Sequence, residues 1–308
     1  MSLISLFKGK GPSGYGYGTT AEEVTQGIAL KGKNFLVTGS TSGLGIETVR
    51  VLAQRGARVF ATGRSQEKVV SSLGRMPGVV VPLACELSDP KSVRACVAAF
   101  KSDGAKLDGI IANAGVMALP TLELVHGYER QFFTNHIGHF LLVTELLSAL
   151  TEKGRVVMLS SGAHTMAPKA GIEFDNLAGE RSYSPWAAYG QSKLANLLFA
   201  KHLAKRLANE GSTVTANSLH PGVIMSGLQR SMPAVQRLGM AIAAPIGFKS
   251  IAEGAATQVY VATRPELEGV SGQYFADCNI AQPSAQGRDS ALAERLWQES
   301  ERIIAQLG

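Results

Sequence analysis

The chain of 308 residues, 45% hydrophobic and 18% charged, has enough apolar material for a large α/β domain and little case for disorder. Its formal charge of +6 is spread along the chain without the long basic runs that would favour nucleic-acid binding. No apolar run approaches the ~18–20 residues that cross a bilayer. We therefore predict a cytoplasmic protein without a transmembrane span, and leave an organellar address or peripheral membrane contact open.

The cysteines and histidines indicate neither a disulfide framework nor a metal site. Cys85, Cys96 and Cys278 have no CxxC spacing, which is typical of a reducing compartment. His136 and His139 are three residues apart, but no cysteine or carboxylate pattern completes a zinc site. We predict that both histidines pack within a helix.

The first 30 residues are predicted to form an N-terminal arm and a short helix. Residues 1–18 contain the Gly-rich stretch GKGPSGYGYG, which has no periodicity. The stretch TTAEEVTQGIAL then predicts a short helix, with Thr19 or Thr20 as its N-cap and Glu22 and Glu23 in its first turn.

From residue 31 onward, apolar strand patterns alternate with helical stretches. The predicted strands are NFLVTG, ARVFATG, VVVPLAC, LDGIIANAG, GRVVMLSS, STVTANSLHPG and GQYFAD. Strand and helix repeated in this order imply a parallel sheet with helices on both faces. We predict a single doubly wound (Rossmann) α/β domain over residues 31–308, with a parallel seven-stranded sheet and the closing helix DSALAERLWQESERIIAQL.

The first predicted strand runs into TGSTSGLG, a turn with three glycines that opens a helix. Glycines let the backbone approach a pyrophosphate, and a helix N-terminus supplies free N–H donors and a favourable dipole. The glycine spacing alone fits an ordinary tight turn equally well, but its place after the first strand of an α/β repeat favours a dinucleotide site. The predicted phosphate-binding residues are Gly39, Ser40, Thr41, Ser42, Gly43, Leu44 and Gly45.

The end of the second strand, FATGRS, indicates which dinucleotide is bound. An NAD site usually places an acidic residue about 20 residues after the turn, where it holds the ribose 2′-hydroxyl. FATGRS contains no acidic residue and carries Arg64 instead. An arginine suits a 2′-phosphate through its charge and forked donors, although a solvated surface charge is the alternative. We therefore predict NADP(H) as the cofactor.

Further candidate site residues follow the later strands. NAG at Asn113–Gly115 ends the fourth strand, Ser160–Ser161 ends the fifth, and Pro221–Gly222 ends the sixth. The helix AYGQSKLANLLFA after the fifth strand places Tyr189 and Lys193 one turn apart on one face. Because the carboxyl ends of parallel strands build the sites of open α/β sheets, we expect these groups in one crevice.

TGxxxGxG, NAG, a serine after the fifth strand, YxxxK and PG, in that order, resemble the short-chain dehydrogenase/reductase family over roughly residues 30–280. The segments TNHIGHFLLVTELL, SSGAH, FDNLAG, AYGQSKLANLLFAKHLAKRL, HPG and LWQESE resemble its retinol dehydrogenase and WW-domain-containing oxidoreductase branch. The stretch GPSGYGYGTTAEEVTQGI is similar to the arm of plant plastid-envelope relatives of that branch. The resemblance implies an oxidoreductase that uses a nicotinamide cofactor.

The resemblance also implies a role for each of four side chains. Tyr189 would be the general acid/base, and Lys193 would activate it and bind the ribose. Ser161 would hold the substrate oxygen, in preference to Ser160, because the family's catalytic serine is the second of such a pair. Asn135, in TNH, matches the asparagine that completes a proton relay through water.

Further cofactor contacts are implied by the same resemblance. Besides Tyr189 and Lys193, they are Glu86, Leu87, Asn113, Ala114, Gly115, Pro221, Gly222, Val223 and Ser226. Glu86, in CELSD, departs from the family, whose members commonly carry aspartate near the adenine. The departure affects the adenine contacts and not the chemistry.

A phenol one helical turn from an ammonium can act as a proton donor in catalysis. A tyrosine titrates near ~10, and bringing its pKa toward ~7 takes roughly 4 kcal/mol. A lysine charge ~4 Å away at an effective dielectric near 20 supplies about that much. We therefore expect Lys193 to lower the pKa of Tyr189, so that the phenol donates a proton to a carbonyl that receives hydride. The alternative is that the pair has no catalytic role: a buried tyrosine next to a lysine whose stem is buried and whose charge reaches solvent.

Two other side chains compete for the substrate side of this crevice. Tyr183 is a second phenol without a lysine four residues on, and we predict that it lines the substrate side. His164 either faces that side or packs in the core or at the surface.

The predicted function is hydride transfer between NADP(H) and the carbonyl or alcohol of a lipophilic small molecule. Residues 223–250 are predicted to be its lid, because this connection is too long for a simple turn and rich in apolar groups. These groups are Leu228, Met232, Val235, Leu238, Met240 and Ile242. An amphipathic helix that packs on the core or rests on a membrane is the alternative.

Two other functions stay open. A cofactor-sensing interaction protein with little turnover would use the Gly-rich arm for docking. A reductase of carbon–carbon double bonds would use the same tyrosine and lysine. We expect either a monomer or a homo-oligomer.

Overall fold

The computed structural model describes residues 8–224 and 247–307. Within them, the strands of the central sheet are β1 (Asn34–Val37), β2 (Arg58–Gly63), β3 (Val79–Ala84), β4 (Leu107–Ala112), β5 (Leu150–Leu159), β6 (Thr215–His220), β7 (Tyr274–Ala276) and β8 (Asn279–Ala281). The helices are α1 (Ala21–Val24), α2 (Gly43–Gln54), α3 (Gln66–Leu73), α4 (Pro90–Ser102), α5 (Gly138–Leu146), α6 (Pro185–Asn209), α7 (Ile251–Thr263), α8 (Ala285–Arg288) and α9 (Ser290–Gln306). A turn of α-helix (Arg130–Phe132) and a π-helical turn (Phe133–Ile137) lead into α5.

The strands are ordered β8-β7-β6-β5-β4-β1-β2-β3. Strands β1 to β7 pair in parallel, which confirms the doubly wound α/β class. The predicted count of seven misses β8, which pairs antiparallel with β7. The tight turn between them consists of Asp277 and Cys278, both at positive φ, and it lacks the glycine or asparagine that normally marks a hairpin in a sequence.

The two faces of the sheet carry separate apolar cores. One face packs against α1, α2, α3 and α7, and the other against α4, α5 and α6. The chain reverses its winding between β1 and β4, which are neighbours in the sheet. Open α/β sheets bind ligands at such a switch point, outside the carboxyl ends of the strands. The predicted motifs all follow strands that end at this edge.

The N-terminal arm, from residue 8 onward, lies against the body of the protein. Thr20 is the N-cap of α1 and forms a capping box with Glu23. The Tyr15 ring lies edge-on to Tyr260 of α7, with 5.7 Å between the centroids. The side-chain amide of Asn279, at the start of β8, donates to the Tyr15 carbonyl. The arm is therefore attached to the same sheet edge as β8.

Most of the predicted lid lies outside the described residues. Outside them are the predicted cofactor contact Ser226 and the lid residues Leu228, Met232, Val235, Leu238, Met240 and Ile242. In the described part of the chain, no helix has the length and apolar character needed to cross a membrane.

Candidate active site

The glycine turn between β1 and α2 is built around close backbone contacts. Gly39 and Gly43 have φ values of 69° and 54°, a region that favours glycine. A Cβ on Gly45 would lie 2.1 Å from the Gly39 carbonyl oxygen, so only glycine fits there. Ser42 makes no side-chain cap to α2. The N–H groups of the first turn of α2 therefore remain available to an anion.

A cavity of about 640 Å³ runs from this turn along the carboxyl ends of the strands. It collects most of the predicted site residues. They are Gly39, Thr41, Ser42, Gly43, Leu44, Arg64, Glu86, Leu87, Asn113, Ala114, Gly115, Ser161, Tyr189, Lys193, Pro221, Gly222 and Val223.

Three predicted site residues lie behind the cavity wall. The buried Ser40 hydroxyl donates to the Val37 carbonyl at 2.9 Å, so this side chain holds the turn instead of facing a phosphate. Gly45 packs against Gly39. Asn135 is fully buried. None of the three is among the residues that line the cavity, so any effect on a ligand passes through their neighbours.

Arg64 and Glu86 lie at the end of the cavity beyond the glycine turn. Arg64 lines the cavity from an exposed position, and its guanidinium makes no hydrogen bond or ion pair with the part of the chain that the structure describes. Glu86 is nearby, but one carboxylate oxygen accepts hydrogen bonds from both the backbone N–H and the hydroxyl of Ser88. This end of the cavity therefore carries an arginine that forms no ion pair within the described residues and a carboxylate that Ser88 holds in place.

Tyr189 and Lys193 project from α6 into the cavity, and each is 5% exposed. Lys193 Nζ lies 5.8 Å from the centre of the Tyr189 ring and donates to the Leu159 carbonyl at 3.2 Å. Burial raises the pKa of Tyr189 to about 12 and lowers the pKa of Lys193 to about 8. Burial of the phenol outweighs the opposing hydrogen bond in setting this pKa, and the expectation that Lys193 lowers it stays a prediction.

The two serines after β5 have different surroundings. A hydrogen bond between the Ser161 and Tyr189 side chains opposes the effect of burial on the tyrosine. Ser161 Oγ also accepts the Ala163 N–H at 3.1 Å. Ser160 is buried, and its hydroxyl donates to the Lys193 carbonyl at 2.7 Å. Both serines line the cavity, but Ser161 lies beside the phenol, whereas the Ser160 hydroxyl holds α6.

The serine pair permits a matched test. We expect Ser161→Ala to lower kcat for carbonyl reduction by about 10²-fold, the loss typical of one donor to a developing oxyanion, with little change in melting temperature. Ser160→Ala should lower the melting temperature and change kcat less, because it removes a buried hydrogen bond. Steady-state kinetics and thermal unfolding of both variants check this, and a larger kcat loss in Ser160→Ala would contradict the assignment.

Asn135 acts as a clamp between two segments of the site. Its Oδ1 accepts the Val116 N–H at 2.8 Å, and its Nδ2 donates to the Val116 carbonyl and to Ser192 Oγ, each at 2.9 Å. Oδ1 and Lys193 Nζ both lie close to Gly115. A Cβ added to this glycine would be 3.1 Å from Oδ1 and 3.3 Å from Nζ. The predicted proton relay through Asn135 stays a prediction.

The other two candidates for the substrate side do not lie there. The Tyr183 hydroxyl donates to the Leu119 carbonyl at 2.6 Å, and Tyr183 is not among the lining residues. His164 is buried between the Ser161 carbonyl, 2.7 Å from Nδ1, and the Ser284 N–H, 3.1 Å from Nε2. It therefore packs in the core.

Sequence reasoning missed the apolar lining of the cavity beside Tyr189. Met117, Ala163, Met166 and Trp186 lie there, and Met117 and Trp186 pack around the tyrosine. They come from two connections and from the first turn of α6, and they form no pattern along the chain. Their closeness to NAG, to the serine pair and to YxxxK is the one signal that the sequence offers.

Cys85, Cys96 and Cys278 are buried, and so are His136 and His139. The thiols of Cys85, Cys96 and Cys278 are free, and His136 Nε2 lies 2.9 Å from Ser300 Oγ. No group of three or more potential metal ligands occurs among the described residues.

Known proteins resemble the chain at the level of sequence and of fold. The family model described as short chain dehydrogenase matches residues 33–236. A Brassica napus protein described as short-chain dehydrogenase TIC 32 B, chloroplastic, is 42% identical and is matched over 100% of both chains. Mouse retinol dehydrogenase 12 is 41% identical over 91% of this chain and 89% of its own.

Solved structures share the architecture. A Mycobacterium paratuberculosis protein described as putative and uncharacterized has a TM-score of 0.74 at 32% identity, covering 93% of this chain and 97% of its own. A Burkholderia cenocepacia short chain dehydrogenase in complex with NADP has a TM-score of 0.62 at 24% identity, covering 80% of this chain and 96% of its own. The second likeness concerns the fold alone.

Proposed function

Since the chain belongs to the short-chain dehydrogenase/reductase family, we propose that it transfers hydride between NADP(H) and the carbonyl or alcohol of a lipophilic small molecule. The observation that carries the proposal is the meeting of Ser161, Tyr189 and Lys193 in the cavity that begins at the glycine turn. Oxidoreductases of this family use nicotinamide cofactors, and the choice of NADP(H) and of substrate is our own inference.

In this mechanism the protein provides orientation and a proton. Ser161 donates a hydrogen bond to the substrate oxygen and holds it beside Tyr189. Tyr189, with its pKa raised to about 12, keeps its proton at neutral pH and donates it to the oxygen as negative charge develops there. Lys193 would bind the cofactor ribose. Bound NADPH would supply the hydride.

The lipophilic substrate class is supported by the residues around Tyr189. Met117 and Trp186 pack against its ring, and the exposed Met166 stands at the mouth of the cavity. Methionine and tryptophan provide large, adaptable apolar contacts. Several curated relatives are described as retinol dehydrogenases, and a retinoid-like or steroid-like aldehyde or ketone suits this lining.

The preference for NADP(H) is tested by Arg64→Ala. Losing a charged hydrogen bond to the 2′-phosphate costs about 1.5–3 kcal/mol, so we expect the Kd for NADPH to rise at least about tenfold while the Kd for NADH stays the same. Arg75→Ala is the control, because Arg75 is exposed but does not line the cavity. Fluorescence titration with both cofactors checks this, and equal losses for NADPH and NADH in Arg64→Ala would contradict the assignment.

A second candidate function is a cofactor-sensing interaction protein with little turnover. Two observations support this candidate function. The chain matches a relative described as chloroplastic over its full length, and the N-terminal arm packs on β8. Turnover of NADPH with aldehydes and ketones of graded lipophilicity, beside a pull-down with and without the arm, separates the two. Product analysis separates carbonyl reduction from reduction of a carbon–carbon double bond. Oligomeric state and cytoplasmic location stay predictions.

A further inference from the structure

His139 lies buried between three segments that form the active-site cavity. Its ring Nδ1 is 2.9 Å from the Asn135 carbonyl oxygen, and its Nε2 is 2.8 Å from Thr38 Oγ1. Thr38 directly follows β1, and its Oγ1 accepts the Ala114 N–H at 2.9 Å. The imidazole therefore connects the end of β1 and the NAG segment after β4 to the helical turn that carries Asn135.

One arrangement of protons satisfies these contacts. A carbonyl oxygen can only accept, so Nδ1 of His139 must carry the hydrogen that the Asn135 oxygen receives. Burial lowers the pKa of His139 to about 4, so the ring is neutral near pH 7 and its Nε2 is an acceptor. The Thr38 hydroxyl then donates to Nε2 and accepts from Ala114. The hydrogen bonds run in one direction, from the Ala114 N–H to the Asn135 carbonyl.

The backbone around Asn135 departs from a regular α-helix. Asn135 lies within the π-helical turn Phe133–Ile137, and the Gly138 N–H that follows donates to the Phe133 carbonyl, five residues back. Such turns are rare and occur frequently at functional sites. A side chain that bonds the Asn135 carbonyl therefore supports the backbone at a point where the helix is irregular.

The position of Asn135 affects the reacting groups through α6. Its Nδ2 donates to Ser192 Oγ, and the Ser192 hydroxyl donates to the Tyr189 carbonyl at 2.7 Å. Ser192 is also the residue before Lys193. A shift of Asn135 would thus be felt at both Tyr189 and Lys193.

We propose that His139 is a positioning residue for the reaction, because its Nδ1–H fixes the Asn135 carbonyl and with it the clamp between the NAG segment and α6. The proposal rests on the proposed hydride transfer. His139 does not line the cavity, so its replacement would change kcat by displacing the groups that do. A displacement of about 1 Å at reacting groups costs about 10²-fold.

Two variants separate the two hydrogen bonds of the ring. Asparagine places an amide N–H near the Nδ1 position, and glutamine places its amide near the Nε2 position. We expect His139→Asn to keep kcat within about threefold of the original protein. His139→Gln should lower kcat at least about tenfold, with smaller changes in the KM for the carbonyl substrate and in the Kd for NADPH.

His136→Gln is the matched control. His136 is also buried, lies three residues earlier, and bonds Ser300 of α9 instead of the site. This variant should lower the melting temperature and leave kcat unchanged. The proposal is overturned if both His139 variants lose kcat equally, or if His136→Gln loses as much as His139→Gln.

A measurement on the unmodified protein covers the case in which the variants do not fold. Long-range ¹H–¹⁵N spectra of ¹⁵N-histidine-labelled protein at pH 7 should give His139 as the neutral Nδ1–H tautomer. A neutral Nε2–H tautomer or a charged ring would overturn the proposal. Protein that shows this tautomer but no turnover of any carbonyl would instead overturn the proposed function.

Discussion

Tyr189→Phe should lower kcat for carbonyl reduction by about 10²–10⁴-fold, the usual contribution of a positioned general acid. The substitution removes the proton donor and keeps the ring that packs against Met117 and Trp186. The Kd for NADPH and the melting temperature should therefore change little. Stopped-flow measurement of NADPH oxidation, beside cofactor titration and thermal unfolding, checks all three expectations.

Tyr183→Phe is the matched control for this prediction. It removes the hydroxyl of a nearby tyrosine that donates to the Leu119 carbonyl and does not line the cavity. We expect nearly normal kcat in this variant. Near-normal activity in Tyr189→Phe, together with loss of activity in Tyr183→Phe, would reverse the assignment of the proton donor.

Lys193→Ala should damage both turnover and cofactor binding, because the ammonium lies inside the cavity and one helical turn from the phenol. Burial lowers the pKa of Lys193 to about 8, so the ammonium is present below that pH and is lost as the pH rises above it. In the original protein the affinity for NADPH should therefore weaken above about pH 8. Isothermal titration between pH 7 and pH 10 measures this.

In Lys193→Ala the affinity for NADPH should be lower, and independent of pH over that range. Lys205→Ala removes a lysine of the same helix that is exposed and paired with Glu294, and it should retain the pH profile of the original protein. An unchanged pH profile in Lys193→Ala would show that another group is responsible.

The sheet and the glycine turn could be predicted because short-range patterns specify them. The seven parallel strands are apolar runs bounded by turns, and the close contact between Gly39 and Gly45 leaves glycine as the residue that fits. The order of the motifs along the chain then places Ser161, Tyr189 and Lys193 at one edge of the sheet, since parallel strands end together.

Contacts between distant segments could not be predicted from the same patterns. The clamp from Asn135 to Val116 and Ser192 and the bonds of His139 join residues from separate elements, and their hydrogen-bond partners follow from tertiary packing. The pKa of Tyr189 depends on how far the phenol is buried, which a spacing of four residues does not reveal. The strand β8 is short, and its turn has no glycine.

Deuterium transfer from NADPH that carries deuterium at both C4 positions of the nicotinamide tests the proposed reaction most directly. The protein is incubated with this cofactor and a long-chain aldehyde, and the alcohol product is examined by mass spectrometry. Hydride transfer predicts a product one mass unit heavier, with the label on the former carbonyl carbon, and far less labelled product from Tyr189→Phe. An unlabelled alcohol, or no alcohol from any aldehyde or ketone in a graded series, would contradict it.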